Sequence, residues 1–364
     1  MPNCSPALPL EINAQRPSVY MKRILIIRTS AIGDIVMASP MIRVLRKAWP
    51  RAAIAWLADP SVRCLLDHHP ALDEVICWSK EEWRQLVRNF HYLRLGGDIT
   101  AFSQDLRQRR FDLALDVQGL LRSRLLAWLS GATERVGFES REPGRHLMTR
   151  IVSRGPHNKE MSSEYLHLMQ TLGLDPGPFA PEIVLSQSDR DAARGIRESH
   201  GLENRYAVLC PFTTRPQKHW IEARWAETAA RLATEFKLAL ALLGGPQDAA
   251  AGRRIRSQTG IKIVDFTGRT TLGQAAALVA QAALVIGVDT GLTHLGTAFA
   301  RPTIALFGAT CPYLTTSNSR TIVVYNRLTC SPCKRKPTCA GRYDCMKAIG
   351  SDDVCRAVRR LMEN

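Results

Sequence analysis

Short apolar runs without polar interruption alternate with segments of helical periodicity along most of this chain, and this alternation constrains the fold more than any other feature. Strands of this kind are buried on both faces, as in parallel sheets that helices cover on either side. The alternation therefore predicts an α/β chain with doubly wound parallel sheets. The first half contains predicted strands at 24–27, 54–57, 75–78, 113–117 and 136–138, and predicted helices at 35–48 and 120–129.

The alternation stops once, in a stretch rich in proline and glycine over residues 173–181, and then restarts. Such a stretch is typical of a linker, so the 364 residues are predicted to form two Rossmann-like domains. Ligands are expected in the cleft between them, at the carboxyl ends of the strands. The later predicted strands are 207–210, 238–243, 261–264, 284–287 and 303–307, and the later predicted helices are 223–236, 247–258, 272–281, 292–300 and 352–362. The predicted limits are 1–20 for a disordered extension, 21–175 for the N-terminal domain, 183–350 for the C-terminal domain and 351–364 for a last helix.

The charge balance predicts an anionic partner, because 49 Lys and Arg residues face 33 Asp and Glu, a net charge of +16. A nucleotide, a phosphorylated acceptor, an acidic membrane surface and a nucleic acid would all satisfy it. No apolar run reaches the roughly 20 residues of a membrane span, and residues 1–20 contain four prolines and no apolar signal core. We therefore expect a cytoplasmic protein, whose translation could start at Met1 or at Met21.

The first chemical motif, Arg-Thr-Ser-Ala-Ile-Gly-Asp, covers residues 28–34 where the first strand turns into a helix. Gly33 permits the tight turn, and Asp34 falls at the start of the helix. Asp34 has two candidate roles, an N-terminal cap and a general base at the edge of the sheet. The residues alone leave both open.

A second motif, Pro-Phe-Thr-Thr-Arg-Pro-Gln-Lys-His-Trp, follows the first strand of the second domain. The hydroxyls of Thr213 and Thr214 and the charges of Arg215 and Lys218 form a candidate diphosphate clamp. The alternative is an ordinary solvated basic loop. Trp220 favours the clamp, since a tryptophan in a loop is usually packed in place.

The third motif, Val-Asp-Thr-Gly-Leu-Thr-His, joins a buried strand to a helix. The backbone N–H groups of Thr290, Gly291 and Leu292 are predicted to be free at the helix N-terminus and to form an anion site. Asp289 could act there or merely cap the helix. His294 is more often a packed helix residue than a ligand in such a position.

Asp248 ends a Gly-Gly-Pro-Gln-Asp turn after another predicted strand. A carboxylate at this place can hold a ribose. A plain acidic residue at a helix N-terminus is an equal alternative.

Four cysteines lie within sixteen residues near the C-terminus, separated by several Lys and Arg residues. Four thiols could bind a structural zinc ion tetrahedrally, although the spacing is not that of a standard zinc finger. Reduced free thiols are the alternative. The interleaved cations suit a phosphorylated acceptor or a membrane surface, and a solvated basic loop is the simpler interpretation. The four are Cys330, Cys333, Cys339 and Cys345.

Two nucleotide-binding signatures are missing from the sequence. It contains no Gly-x-Gly and no Gly-Lys, so it lacks both the dinucleotide fingerprint and the Walker loop. Their absence disfavours a nucleotide-sugar epimerase or dehydrogenase and a nucleoside triphosphatase. A basic nucleic-acid-binding protein would explain the charge, but it gives no reason for Asp34 or for the Thr-Thr-Arg-Pro-Gln-Lys loop.

Taken together, the motifs resemble glycosyltransferase family 9, the heptosyltransferases of the lipopolysaccharide inner core. The resemblance runs from Met21 to the C-terminus. It rests on four motifs in the family's order, at 28–34, 115–120, 213–220 and 288–295, the last followed by Arg-Pro and Leu-Phe-Gly. The Asp-Val-Gln-Gly-Leu and Thr-Thr-Arg-Pro-Gln-Lys-His-Trp stretches look like the enzyme that adds the first heptose, whereas the cysteine cluster resembles other branches.

The resemblance implies a GT-B fold, with the acceptor bound by the N-terminal domain and the donor by the C-terminal domain. Asp34 would be the general base, and Lys218 would stabilise the departing diphosphate. The implied donor contacts are Thr213, Thr214, Arg215, Asp248, Asp289, Thr290, Gly291, Leu292 and His294. The implied acceptor contacts are Ser30, Gly33, Gln118 and Arg122.

The resemblance also implies an inverting single displacement that needs no metal or other cofactor for its chemistry. ADP-heptose would be the donor, and Kdo-lipid A or a heptosylated lipopolysaccharide core the acceptor. Nucleic acid would not be a partner, and the protein would contact the inner face of the inner membrane peripherally. A family member that uses another nucleotide sugar is the main alternative.

Overall fold

The computed structural model describes residues 21–156, 159–333 and 336–363. The predicted disordered extension, residues 1–20, lies outside these ranges. Within them, no helix is long and apolar enough to cross a bilayer.

The described chain divides into two compact units, with the change between them at Phe179 and Ala180, inside the stretch rich in proline and glycine. The first unit comprises residues 21–30, 38–156 and 162–179. The second comprises 31–37, 159–161 and 180–363. The turn that carries Asp34 therefore clusters with the second unit.

The first unit is built around a six-stranded parallel sheet with the strand order β3-β2-β1-β4-β5-β6. Its strands are β1 (Arg23–Ile27), β2 (Ala53–Ala58), β3 (Glu74–Cys77), β4 (Leu113–Asp116), β5 (Glu134–Phe138) and β6 (Arg150–Val152). Its main helices are α2 (Pro40–Ala48), α3 (Lys80–Arg88), α4 (Tyr92–Gln108), α5 (Leu121–Leu129) and α6 (Ser163–Thr171), and α1 (Ile32–Ala38) precedes them in the chain.

The second unit repeats this architecture with the order β12-β11-β10-β7-β8-β9. Its strands are β7 (Tyr206–Cys210), β8 (Ala239–Leu242), β9 (Ile263–Asp265), β10 (Leu284–Val288), β11 (Thr303–Phe307) and β12 (Thr321–Tyr325). Its helices are α7 (Gln187–His200), α8 (Glu222–Thr234), α9 (Ala249–Ser257), α10 (Leu272–Gln281), α11 (Gly291–Ala298), α12 (Asp344–Lys347) and α13 (Ser351–Met362). When the strands of each unit are numbered from one in sequence order, each sheet has the Rossmann strand order 3-2-1-4-5-6.

Each unit has its own apolar core, as the uninterrupted apolar strands predict. Leu25, Ile27 and Leu57 lie in the first core, and Trp225 and Ile286 lie in the second. The last helix, α13, packs into the second core and is continuous with that unit. The predicted doubly wound α/β fold is confirmed.

Several elements differ from the prediction, and the helices α3, α4, α6, α7 and α12 are additional to the predicted ones. The single helix predicted over 35–48 is two helices, because Pro40 has no N–H group to continue the first one and instead begins α2. The edge strands β6 and β12 were not predicted. Strand β6 has only three residues, too few for a clear pattern, whereas β12 carries the apolar run Thr-Ile-Val-Val-Tyr and was overlooked.

Candidate active site

Two loops of the second unit meet at the carboxyl edge of its sheet, because the strands that precede them are neighbours. Strands β7 and β10 pair in parallel, with Gly287 opposite Cys210. The loop over residues 211–220 follows β7, and the turn into α11 follows β10. In Rossmann folds this edge is where ligands bind.

A buried ion pair joins the two loops. Lys218 Nζ lies 2.7 Å from Asp289 Oδ2, and the two side chains are 17% and 11% exposed. Thr310 Oγ1 donates a hydrogen bond to the same carboxylate oxygen. The other oxygen, Asp289 Oδ1, lies 3.2 Å from His294 Nε2. The carboxylate is thus held by a cation, a hydroxyl and an imidazole.

The partners of His294 fix one of its two ring nitrogens. Asp289 can only accept while it is ionised, so the imidazole donates from Nε2 to Asp289. Its Nδ1 lies 2.9 Å from the hydroxyl of Tyr313, which can donate or accept. The two contacts hold the ring in one orientation.

Opposing effects set the charge of Asp289. Burial alone would raise the pKa of this carboxyl, but the hydrogen bond from His294 and the positive charge of Lys218 outweigh burial and hold the pKa well below its usual range. Asp289 is therefore an anion at neutral pH, and Lys218 is a cation held in one position. A fixed cation at a strand end is suited to receive a phosphate.

Trp220 fixes the loop that carries Lys218. Its indole is buried, donates a 2.9 Å hydrogen bond to the carbonyl of Ile349 and packs edge-on against Trp225. The loop is also closed on itself, with His219 Nε2 2.9 Å from the carbonyl of Thr213. The prediction that the tryptophan is packed in place is confirmed.

The turn into α11 departs from the prediction at one amide. The N–H of Thr290 donates to the carbonyl of Val288 at 2.8 Å, so it is used inside the turn. Thr293 Oγ1 donates to the same carbonyl. The prediction that three N–H groups are free is therefore wrong for Thr290. Gly291 and Leu292 are the first residues of α11, where backbone N–H groups have no partner within the helix.

The turn that carries Asp34 packs against the same cluster. A β-carbon added to Gly33 would lie 2.4 Å from His294 Cδ2, and one added to Gly291 would lie 2.4 Å from Ile32 Cβ. Only glycines allow this approach. Asp34 Oδ2 accepts a hydrogen bond from the N–H of Ala31 at 3.2 Å, as a helix-capping acid does. The close contact at Gly33 nevertheless places the turn that carries Asp34 against His294.

The other predicted donor residues lie farther out on the loops. Thr213 and Arg215 are half-buried and Thr214 is exposed. Asp248 Oδ2 accepts the N–H of Gly245 at 2.8 Å within its own turn, after β8. That bond fits the alternative of a plain acidic residue at a helix N-terminus, and the ribose role stays a prediction.

The predicted acceptor residues other than Gly33 lie in the first unit. Gln118 is buried, and its side-chain oxygen accepts both the N–H and the hydroxyl of Thr29. Ser30 and Arg122 are half-buried. Ser30 follows Thr29 in the loop after β1, and Arg122 lies at the start of α5. Gln118 therefore ties together the loops that follow β1 and β4, and its acceptor role stays a prediction.

The cysteine segment folds back on the end of β11. Cys345 is buried, and its sulfur lies 3.0 Å from where a β-carbon on Gly308 would stand. Burial, and then the neighbouring thiols Cys339 and Cys330, raise the pKa of Cys333. Within residues 21–156, 159–333 and 336–363, no group of three or more His, Cys, Asp or Glu side chains is arranged to hold a metal ion.

Two partners in the cluster, Thr310 and Tyr313, were missed from the sequence. Both follow β11, the strand next to β10 on its other side. Polar residues after a neighbouring strand were the available signal. It was weak because threonine and tyrosine are common in loops and because their burial depends on tertiary packing.

Comparison with solved structures shows the same fold elsewhere. A glycosyltransferase of family 9 from Veillonella parvula has a TM-score of 0.83 at 23% identity, covering 94% of this chain and 98% of that one. The E. coli heptosyltransferase WaaC with ADP-2-deoxy-2-fluoro heptose has a TM-score of 0.69 at 23% identity, covering 93% and 99%. These likenesses define the fold as GT-B, as predicted.

The fold is GT-B, and the family match defines the class of protein as a glycosyltransferase. The sequence profile of glycosyltransferase family 9 (heptosyltransferase) matches residues 99–344. The chain belongs to this family. It is also 29% identical over 300 residues to lipopolysaccharide heptosyltransferase 1 of Salmonella typhimurium, across 80% of this chain and 90% of that protein.

The close contact between Gly33 and His294 can be tested by a substitution that adds one methyl group. We expect Gly33→Ala to push the Asp34 turn away from His294, since the new carbon would overlap the imidazole. A displacement of about 1 Å costs roughly 100-fold in kcat/KM for a positioned catalytic group. Steady-state kinetics would measure this, with Gly195→Ala in α7, where the space is open, as the matched control. Equal activity of the two variants would contradict the contact.

Proposed function

We propose that this chain transfers heptose from ADP-L-glycero-D-manno-heptose to the inner core of lipopolysaccharide, with Kdo-lipid A or an already heptosylated core as acceptor. The observation that carries the proposal is the buried Lys218–Asp289 pair at the carboxyl edge of the second sheet. Family membership supports it, as do the likeness to lipopolysaccharide heptosyltransferase 1 of Salmonella typhimurium and the ADP-heptose analogue in the WaaC structure.

The donor diphosphate would bind where the Lys218 loop and the start of α11 meet. Lys218 supplies a fixed positive charge, and the amides of Gly291 and Leu292 supply the positive end of a helix. Thr213, Thr214 and Arg215 would add hydroxyl and guanidinium donors from the same loop, and Asp248 would hold the ribose. Asp289 and His294 would orient Lys218 and contact the sugar.

The reaction would be one displacement with inversion. The acceptor hydroxyl attacks the anomeric carbon while Asp34 takes its proton, and ADP leaves as the anomeric bond breaks. Lys218 stabilises the charge that develops on the leaving diphosphate, an interaction that strengthens when water is excluded. Ser30, Gly33, Gln118 and Arg122 would form the acceptor side.

We also propose a cytoplasmic protein that works at the inner face of the inner membrane, since its acceptor would be anchored there by lipid A. The net charge of +16 supports contact with an anionic surface.

The direct test is transfer of heptose by the purified chain from the ADP-sugar to Kdo-lipid A, followed by mass spectrometry of the lipid and assay of ADP. A gain of one heptose is expected for a first-step enzyme. Transfer only to an acceptor that already carries heptose would place it at a later step. Transfer from a different nucleotide sugar alone would replace the donor in the proposal.

Asp34→Asn should keep ADP affinity and lose transfer, because the amide preserves the shape of the carboxylate but cannot take a proton. General-base removal costs about 100- to 10,000-fold in kcat. Calorimetry with ADP and single-turnover kinetics would separate binding from chemistry. Asp191→Asn, at an exposed acid in the first half of α7, is the matched control, and wild-type turnover in Asp34→Asn would rule out the base role.

Lys218→Ala should weaken use of the donor far more than use of the acceptor. It removes the positive charge that faces the diphosphate and leaves Asp289 a buried anion without its cation, so kcat/KM for ADP-heptose should fall by about 1,000-fold. Lys262→Ala, at an exposed lysine outside these loops, controls for loss of net charge. Unchanged donor kinetics would place the clamp elsewhere.

Structural zinc at the four clustered cysteines stays a prediction, with reduced thiols as its alternative. Elemental analysis of the purified chain distinguishes them. One zinc per chain would support the first, and metal-free protein with reactive thiols would support the second. The proposed chemistry uses no step through this metal.

A further inference from the structure

The α3–α4 hairpin of the first unit carries an unusual concentration of exposed apolar side chains. Ten large hydrophobic residues are exposed in the described part of the chain, and four of them fall between residues 87 and 93. Leu93 is 96% exposed and Phe90 is 77% exposed. Single exposed hydrophobics need no explanation, but a cluster marks a surface that something else covers. The four residues are Val87, Phe90, Tyr92 and Leu93.

Packing at the base of the hairpin shows how far its tip projects. Arg109, just after α4, pairs with Glu74, the first residue of β3, at the amino edge of the sheet. Phe102 packs edge-on against Trp83, which packs edge-on against Trp78 just beyond the carboxyl end of β3. Helix α4 therefore runs from beyond the carboxyl edge down to the amino edge.

The tip lies past the carboxyl edge of the first sheet. The first residue of α4, Tyr92, is ten residues before Phe102, which corresponds to about 15 Å at 1.5 Å per helical residue. Between residues 80 and 101 no side chain is buried. Ser30 and Gln118, predicted acceptor contacts, follow β1 and β4 and so lie at this same edge of the sheet.

The tip is ordered and not a frayed loop. Backbone hydrogen bonds close its turn, from Phe90 N–H to the carbonyl of Val87 and from His91 N–H to that of Leu86. Phe90 has a φ of 57°, which places a bulky side chain in the left-handed region. Together with the two hydrogen bonds, this makes a Schellman cap at the C-terminus of α3, with Phe90 as its left-handed residue.

The charge of the tip favours an anionic partner. Residues 83–97 contain three arginines, one histidine and no acidic residue. Arg84 and Arg88 lie near Glu81 at the base, at 3.2 and 3.6 Å, but all three side chains are at least half exposed, where such pairs are weak. Arginines around exposed Phe, Tyr and Leu are the composition of a segment that lies in a membrane interface.

We infer that the tip of the α3–α4 hairpin, residues 84–97, docks the chain on an anionic phospholipid bilayer. Phe90, Tyr92 and Leu93 insert at the level of the head groups, and the arginines contact lipid phosphates. The inference rests on the proposed function, since a lipid-borne acceptor requires the carboxyl edge of the first sheet to face the membrane. It names the surface through which the proposed membrane contact is made.

The test is co-sedimentation of the full chain with vesicles that contain no acceptor, either phosphatidylcholine with phosphatidylglycerol or phosphatidylcholine alone. The wild type should bind the anionic vesicles. The double variant Phe90→Ser/Leu93→Ser should bind them at least tenfold more weakly, since it removes two inserting apolar groups. Thermal denaturation should show unchanged folding, because both residues are exposed.

Matched controls separate the tip from general surface effects. Leu125→Ser/Trp128→Ser removes a similarly apolar but less protruding pair from α5 and should leave vesicle binding unchanged. Neutralising the tip arginines should weaken binding to anionic vesicles by about fivefold for each one, whereas neutralising three exposed arginines of the second unit should not. The two sets are Arg84→Gln, Arg88→Gln and Arg94→Gln against Arg194→Gln, Arg254→Gln and Arg356→Gln.

Assays of heptose transfer to soluble and to membrane-embedded acceptors test membrane docking separately from the proposed function. With a water-soluble acceptor that lacks acyl chains, Phe90→Ser/Leu93→Ser should match the wild type, and with vesicle-embedded acceptor it should lose activity in proportion to its lost binding. Vesicle binding that depends on the tip, in a chain that transfers no heptose, would support docking and overturn the proposed function alone.

Three results would overturn docking at the tip. The tip variants could bind vesicles as the wild type does, which would point to another surface such as the basic cysteine segment. The wild type could fail to bind vesicles at all. Sedimentation velocity could show that the double variant splits a dimer, in which case a second copy of the chain covers the tip.

Discussion

The ion pair between Lys218 and Asp289 is the interaction on which the site depends. Two charges taken out of water are costly to bury, and the cost is offset only when each has good partners. Here Asp289 has Lys218, Thr310 and His294, and His294 is in turn fixed by Tyr313. Loss of either charge would leave the other uncompensated, so the pair holds two loops in one arrangement.

Everything around the pair serves that arrangement. The parallel register of β7 and β10 brings the two loops together, and Trp220 anchors one of them to the carbonyl of Ile349. Gly33 lets another turn approach the imidazole closely. The second unit therefore holds Lys218 in one position at the carboxyl edge of its sheet, where we propose that the diphosphate binds. The first unit carries the loops predicted to meet the acceptor and, in our inference, the segment that meets the membrane.

The sequence predicted the parts of this structure that depend on local pattern. Central strands such as β10 contain no polar side chain. Lys218 and Asp289 were found because ligand-binding residues follow such strands in Rossmann folds. It did not predict that these two residues pair, nor that Thr310 and Tyr313 complete the cluster, because those contacts join segments far apart in the chain. The N–H of Thr290 was misassigned because its partner, the Val288 carbonyl, depends on turn geometry. The exposed tip at Phe90 and Leu93 was also not foreseen, since apolar residues in a helical pattern ordinarily face a core.

Hydrogen–deuterium exchange of the purified chain, with and without ADP, would locate the donor site. We expect ADP to slow exchange in peptides covering residues 213–220 and 289–294 and to leave the hairpin at 84–97 unchanged. Protection confined to the first unit, around residues 28–30 and 116–123, with none in the Lys218 loop, would contradict the assignment of the donor site.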